Sequence, residues 1–207
     1  MIRNSNSAPP LVIGLTGGTG AGKGEASKIL SSMGCEIILT DEMSKNLMKY
    51  GQDCYAQVVE YFGTDILLDN KEIDRKKLAQ IVFNDKGKLE VLSKTVHKFV
   101  KENTNTIIKN SKSKVIIIDA PLLIEANMQE LTHYMIGIFA PRSLRISRII
   151  KRDSLDETAA ISRLNAQMDD DTLRTLVDFA IENNKGIAEL KEQVEGVMKQ
   201  IQIQALD

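Results

Sequence analysis

A largely apolar run, Leu11-Val12-Ile13-Gly14-Leu15-Thr16, leads directly into Gly17-Gly18-Thr19-Gly20-Ala21-Gly22-Lys23. This junction limits the folds open to the chain more than any other feature. The continuous apolar run predicts a strand covered on both faces. The glycines that follow form a tight turn, and the spacing beyond them predicts a helix over 22–33, stopped by Gly34. The spacing is G-x-x-x-x-G-K. Successive glycine N–H groups can converge on phosphate oxygens there, the helix N-terminus adds a favourable dipole, and Lys23 can reach the β- and γ-phosphates. A glycine-rich turn without a ligand is the plainer alternative, but a strand before and a helix after are the context that a phosphate loop requires. A dinucleotide fingerprint, G-x-G-x-x-G, fails on the same residues. It would need glycine at Lys23 if counted from Gly18, or at Glu25 if counted from Gly20. Position 24 departs from the usual loop, because Gly24 stands where a Ser or Thr hydroxyl would bind Mg²⁺.

Further apolar runs are predicted as strands over 36–40, 115–119, 134–140 and 179–182. Between them lie helical patterns, so the chain is expected to be α/β with a parallel central sheet and helical layers. Residues 41–115 show only helical patterns, over 55–61, 75–82 and 86–109, which suggests a helical subdomain beside the sheet. A second helical block spans 143–175. The last helix, from about 187, carries Leu190, Val194, Val197 and Ile201 at helical spacing, a core-facing stripe rather than a partner interface. The 207 residues, 43% hydrophobic and 27% charged, are ample for a hydrophobic core. A net charge of -1 argues against a general nucleic-acid or membrane binder. Two cysteines, Cys35 and Cys54, fit reduced thiols in a cytoplasmic protein. The polar start, 1–10, lacks the apolar centre of a signal peptide and is read as a flexible tail.

Three other features carry possible chemistry. Asp119 ends the apolar run Val115-Ile116-Ile117-Ile118, where a carboxylate can approach the loop's Mg²⁺ directly or through water; capping of a following helix is the alternative. Asp41 ends the second expected strand, at the sheet edge where ligands bind in open α/β folds. It is either an acceptor for an attacking hydroxyl's proton or a helix N-cap. Arg145, Arg148 and Arg152 are spaced three and four apart and share a helical face, either a solvated basic face or one that stabilises a transferring phosphoryl group.

The assembled residues resemble the dephospho-CoA kinase family over about 12–190. Ile13-Gly14-Leu15-Thr16-Gly17-Gly18-Thr19-Gly20 looks like the family's opening G-L-T-G-G-x-G. Phe62-Gly63, Ile73-Asp74-Arg75 with Leu78, and Val82-Phe83 follow its F-G, I-D-R and V-F order. Pro121-Leu122-Leu123-Ile124-Glu125 resembles P-L-L-F-E, and Arg148 and Arg152 match two arginines of its lid. Arg163-Leu164-Asn165-Ala166-Gln167 looks like R-I-x-A-Q, and Asp178-Phe179-Ala180-Ile181-Glu182-Asn183 resembles A-D-Y-V-I-x-N without the leading alanine.

The resemblance implies one P-loop kinase domain over 11–207, with a helical substrate-binding insertion at about 46–112 and a lid at about 142–175. It implies ATP with Mg²⁺, and dephospho-CoA as the acceptor, phosphorylated at its ribose 3'-hydroxyl; no nucleic acid or membrane partner is expected. By resemblance, Asp41, Lys23 and Arg152 are catalytic. Gly18, Gly20, Ala21, Gly22, Lys23, Gly24, Glu25, Arg148 and Asn183 bind ATP. Thr16, Asp41, Arg75 and His97 face the acceptor, and Asp119 lies near the metal. The chain departs from the family pattern at Leu39 (usually Asp), Lys98 (usually Pro), Arg145 (usually Gln) and Gly24. A kinase for another nucleoside or nucleotide, and a nucleotide- or CoA-binding protein with weak catalysis, remain alternatives. A GTPase switch is disfavoured, since Asn70-Lys71-Glu72-Ile73 ends in Ile where N-K-x-D needs Asp.

Overall fold

A computed structural model describes residues 9–205; the expected tail at 1–10 lies mostly outside them. The described chain divides into two compact units, Leu39–Asn110 and the remainder. No helix among the described residues is long and apolar enough to cross a membrane.

The first unit is built on a five-stranded sheet. Its strands are β1 (Leu11–Thr16), β2 (Glu36–Leu39), β3 (Val115–Asp119), β4 (Tyr134–Phe139) and β5 (Phe179–Glu182), in the order β2-β3-β1-β4-β5. β1 lies between β3 and β4, parallel to both, and β4 pairs in parallel with β5. The chain therefore leaves β1 towards one side of the sheet and later returns to the other, making the carboxyl end of β1 the reversal point where open α/β sheets bind ligands. On one face, α1 (Lys23–Ser32) and α9 (Ile187–Gln204) bury Ala26, Ile29 and Leu30, and Leu190, Val194, Met198 and Ile201, against Ile13, Leu15, Ile117, Ile136 and Ile138. The α9 stripe is thus core, with Met198 joining the positions expected from spacing. On β1, Gly14 has no side chain because Leu123 fills the space; a Cβ there would lie 2.7 Å from Leu123 Cδ1. After β4 come α6 (Arg142–Asp153), α7 (Glu157–Asn165) and α8 (Asp170–Thr175). The block expected as helical over 143–175 is broken twice, where Asp156 accepts from Ala159 N–H and Asp169 from Thr172 N–H as N-caps.

The second unit is helical. It contains α2 (Thr40–Leu47), α3 (Asp53–Phe62), α4 (Arg75–Phe83) and α5 (Lys86–Asn110) around a core of Cys54, Tyr55, Val58, Ile66, Ile73, Leu78 and Val82. Its only strand-like feature among the described residues outside the sheet is an isolated antiparallel bridge, Leu67 to Ile73. The motif Ile73-Asp74-Arg75 divides into separate roles. Ile73 is core, Asp74 caps α4 by accepting from Lys76 and Lys77 N–H at 3.0 and 3.1 Å, and Arg75 donates to the Lys45 carbonyl at 3.3 Å. The second strand is one residue shorter than expected, because Thr40 opens α2.

Candidate active site

The site in the first unit grows from the end of β1. Ladder register places Asp119 of β3 opposite Leu15, and Thr16 opposite Gly137 of β4. The chain turns at Gly17 and enters α1 at Lys23, with Gly22 as N-cap in the left-handed conformation at φ 107°. A glycine cap has no side chain to block the helix N-terminus, so the helix dipole there favours an anion. Lys23 leads back across the loop to an ion pair with Asp119, whose side chain is 4% exposed. The segment after β3 is a run of turns (121–127) rather than a helix, so Asp119 caps no helix and its carboxylate serves the loop lysine.

Four glycines of the loop are imposed by what packs against them; a Cβ at Gly17 or Gly20 would meet the backbone carbonyl of Ile138 or Arg145 at 2.6 or 2.8 Å. A Cβ at Gly18 would overlap the Arg145 guanidinium, and one at Gly22 would overlap the Asn183 amide. Gly24 is different, since a Cβ there meets nothing within 4 Å and its backbone is not left-handed. Its lack of a hydroxyl is therefore a property of this chain and not a demand of packing.

The outer side of the loop is held by distant residues. Asn183, buried after β5, donates to the Ala21 carbonyl at 2.8 Å. Arg148 donates to the carbonyls of Gly20, Ala21 and Asn183 at 3.2, 3.3 and 3.1 Å. Arg145, 6% exposed, donates to the Thr19 carbonyl at 2.9 Å and to Asp170 at 2.6 Å. Thr19 N–H donates to Gln167 Oε1 at 2.7 Å. From sequence, Arg145 is placed only on the basic face of α6, not at Thr19, and Gln167 and Asp170 are missed; the signal available for Gln167 was its place closing Arg163-Leu164-Asn165-Ala166-Gln167.

Other expected residues are placed as follows. Thr16 is buried at the end of β1, and Glu25 is exposed and paired with Lys28. Arg152 is exposed on α6 and makes a two-pronged bond to Asp153 at 2.8 Å, which holds the Asp153 carboxyl below its ordinary range. In the second unit, Asp41 is exposed in the first turn of α2. The cap of that helix is Leu39, with no side-chain bond, so Asp41 is not its N-cap. Arg75 joins Lys45, Met48, Leu78, Val82 and Leu92 around a groove of about 270 Å³, and His97 is half-buried on α5.

A family model described as Dephospho-CoA kinase matches residues 11–189. A dephospho-CoA kinase of Oryza sativa subsp. japonica is 34% identical over 195 residues, covering 92% of this chain and 84% of that protein. One from Lactobacillus johnsonii is 32% identical over 192 residues, covering 91% of this chain and 97% of its own. Among solved structures, a dephospho-CoA kinase from Campylobacter jejuni is 26% identical with a TM-score of 0.66, covering 92% of this chain and 96% of that one. A shikimate kinase from Acinetobacter baumannii shares the fold at 17% identity, with a TM-score of 0.56 and 96% of each chain covered. The loop clasp and sheet order thus occur in a chain matched by the family model over most of its length: it belongs to the dephospho-CoA kinase family.

Proposed function

We propose that this chain transfers the γ-phosphoryl group of ATP to the ribose 3'-hydroxyl of dephospho-CoA, the final step of coenzyme A synthesis. The observation that carries the proposal is the Lys23–Asp119 clasp at the carboxyl edge of β1 and β3, within a glycine loop that matches the family. A bond forms from the 3'-oxygen to the γ-phosphorus as the bond from that phosphorus to the bridging oxygen breaks. ADP departs with the electron pair, and the hydroxyl proton passes to Asp41. Lys23 holds the β- and γ-phosphates, while Gly18, Gly20, Ala21, Gly22, Gly24 and Glu25 of the loop line them, the Thr19 N–H being held by Gln167. Arg148 and Asn183 hold the loop's outer side, with Asn183 near the adenine. Arg152, which now engages Asp153, exchanges that partner for the transferring group. Thr16, Arg75 and His97 contact the acceptor, the helical unit binds it, and the α6–α8 block closes as a lid.

Mg²⁺ belongs to the same proposal, and the residues present fit it in a particular way. Asp119 is the carboxylate suited to hold it, through water, since its Oδ1 already accepts Lys23, while Gly24 contributes no hydroxyl. When bound, the ion neutralises charge on the phosphate oxygens. Buried free thiols at Cys35 and Cys54 suit a reducing, cytoplasmic setting.

Incubation with ATP, Mg²⁺ and dephospho-CoA is expected to yield CoA, identified by mass. Absence of CoA, while a related enzyme makes it in parallel, would overturn the proposal. Gly24 favours one second reading, a nucleotide- and CoA-binding protein with weak catalysis. Calorimetric binding of both ligands without product would select it.

A further inference from the structure

We infer that Arg145 is a positioning residue: with Gln167 and Asp170 it clamps the Thr19 peptide, so that the phosphate loop's hold on ATP depends on the α6–α8 block. The inference rests on the proposed ATP-dependent reaction only for its kinetic readout. Both backbone polar groups of residue 19 are taken by the α6–α8 block. Its carbonyl accepts from Arg145 Nε at 2.9 Å, and its N–H donates to Gln167 Oε1 at 2.7 Å. Arg145 comes from α6, Gln167 from the turn after α7, and Asp170 from the first residue of α8. The guanidinium spans the gap between loop and α8, since Nη1 donates to Asp170 Oδ1 at 2.6 Å while Nη2 stands against Gly18.

The clamp in this chain suits an arginine. A planar fork with several donors can serve the Thr19 carbonyl and Asp170 at once while lying against Gly18, whereas lysine offers one point charge and glutamine no charge. The side chain is only 7% exposed, so its pair with Asp170 is little screened. Removing the cation strands a carboxylate that is itself only 32% exposed. Because the clamp fixes 18–20, its loss widens the conformational range of the N–H groups that must converge on phosphate, and the effect falls on ATP rather than on the acceptor.

The test uses the full chain and its Arg145→Gln, Arg145→Lys and Asp170→Asn variants, with calorimetric binding of ATP and ADP alongside steady-state kinetics. Arg145→Gln is expected to weaken ATP and ADP binding about tenfold or more and to raise KM for ATP in step, leaving KM for dephospho-CoA within about twofold. Arg145→Lys should resemble Arg145→Gln more than the parent, and Asp170→Asn should shift ATP affinity the same way by about threefold. Unchanged ATP affinity in Arg145→Gln, or equal losses for both substrates with a lowered melting temperature, overturns the inference. If Arg145→Gln does not fold, Asp170→Asn decides alone, and unchanged ATP binding there overturns it. A parent chain that binds ATP but forms no CoA defeats the proposed reaction and leaves the binding test intact.

Discussion

A single methyl group would collide with the Arg145 guanidinium at position 18 and would meet open space at position 24. These neighbouring glycines therefore make opposite predictions. Gly18→Ala should weaken ATP binding by about tenfold or more in calorimetry, because the loop or the arginine must shift. Gly24→Ser should fold normally and lower the Mg²⁺ concentration giving half-maximal activity, with tighter magnesium-dependent ADP binding as the independent readout. Lys23→Ala should reduce kcat by about a hundredfold or more, as measured by ADP release. Lys23 and Asp119 were legible in the sequence because each closes a local pattern, one a glycine loop and the other an apolar strand. The contacts of Arg145 and Gln167 with Thr19 were not, since they span 126 and 148 residues. Spacing on α6 puts three arginines on one face but does not say that the first turns inward while the third stays in water.

Elements were legible where an apolar pattern was long or a cap was explicit. The strands over 115–119 and 179–182 stand as expected, and the helix from 86 runs one residue beyond its expected end at 109. The short helix α2 was hidden, because only Met43 and Leu47 mark its apolar side and a strand reading claimed Thr40. Its first-turn Asp41 and Glu42 favour the positive end of a helix dipole and were the available signal. Two element-scale tests follow from packing and caps. Val194→Ala on α9 removes a side chain that is 1% exposed, with an expected cost of about 1–3 kcal/mol in chemical denaturation. Asp153, at the end of α6, takes bonds from Arg152 and Arg163, which hold its carboxyl below the ordinary 3.8. A depressed carboxylate stabilises the fold above its unfolded value and loses that contribution as pH falls through the folded one. The melting difference between the parent and Asp153→Asn should therefore be present at pH 7 and vanish under strong acid, below the ordinary value.

At the scale of the molecule, the main core of each of the two units contains one buried cysteine. Cys35 belongs to the sheet unit and Cys54 to the helical unit. Burial pushes both thiols up, so labelling by a thiol reagent should be slow in the native state near neutral pH. In mild urea, Cys35→Ala and Cys54→Ala variants should label at different rates, each reporting the opening of one unit. Equal rates at all urea concentrations would show that the units open together. The helical character of the stretch after Asp41 was legible from periodicity, but its beginning was not, because the change of unit falls inside a strand-like run, at Leu39.

Ser111 donates a hydrogen bond from its hydroxyl to Glu36, and β2 lies next to β3 in the sheet. The points where the chain leaves the sheet unit and comes back to it are thus already tied together. The helical unit reads as a parenthesis in the sentence of the chain, with its opening and closing marks touching. Lengthening or replacing a loop whose ends are pinned costs little in closure entropy, about 0.6 kcal/mol per doubling. With the acceptor held by the helical unit, as proposed above, a lineage could acquire a new acceptor by exchanging one contiguous stretch of gene, leaving the loop at Gly17 and its clasp untouched.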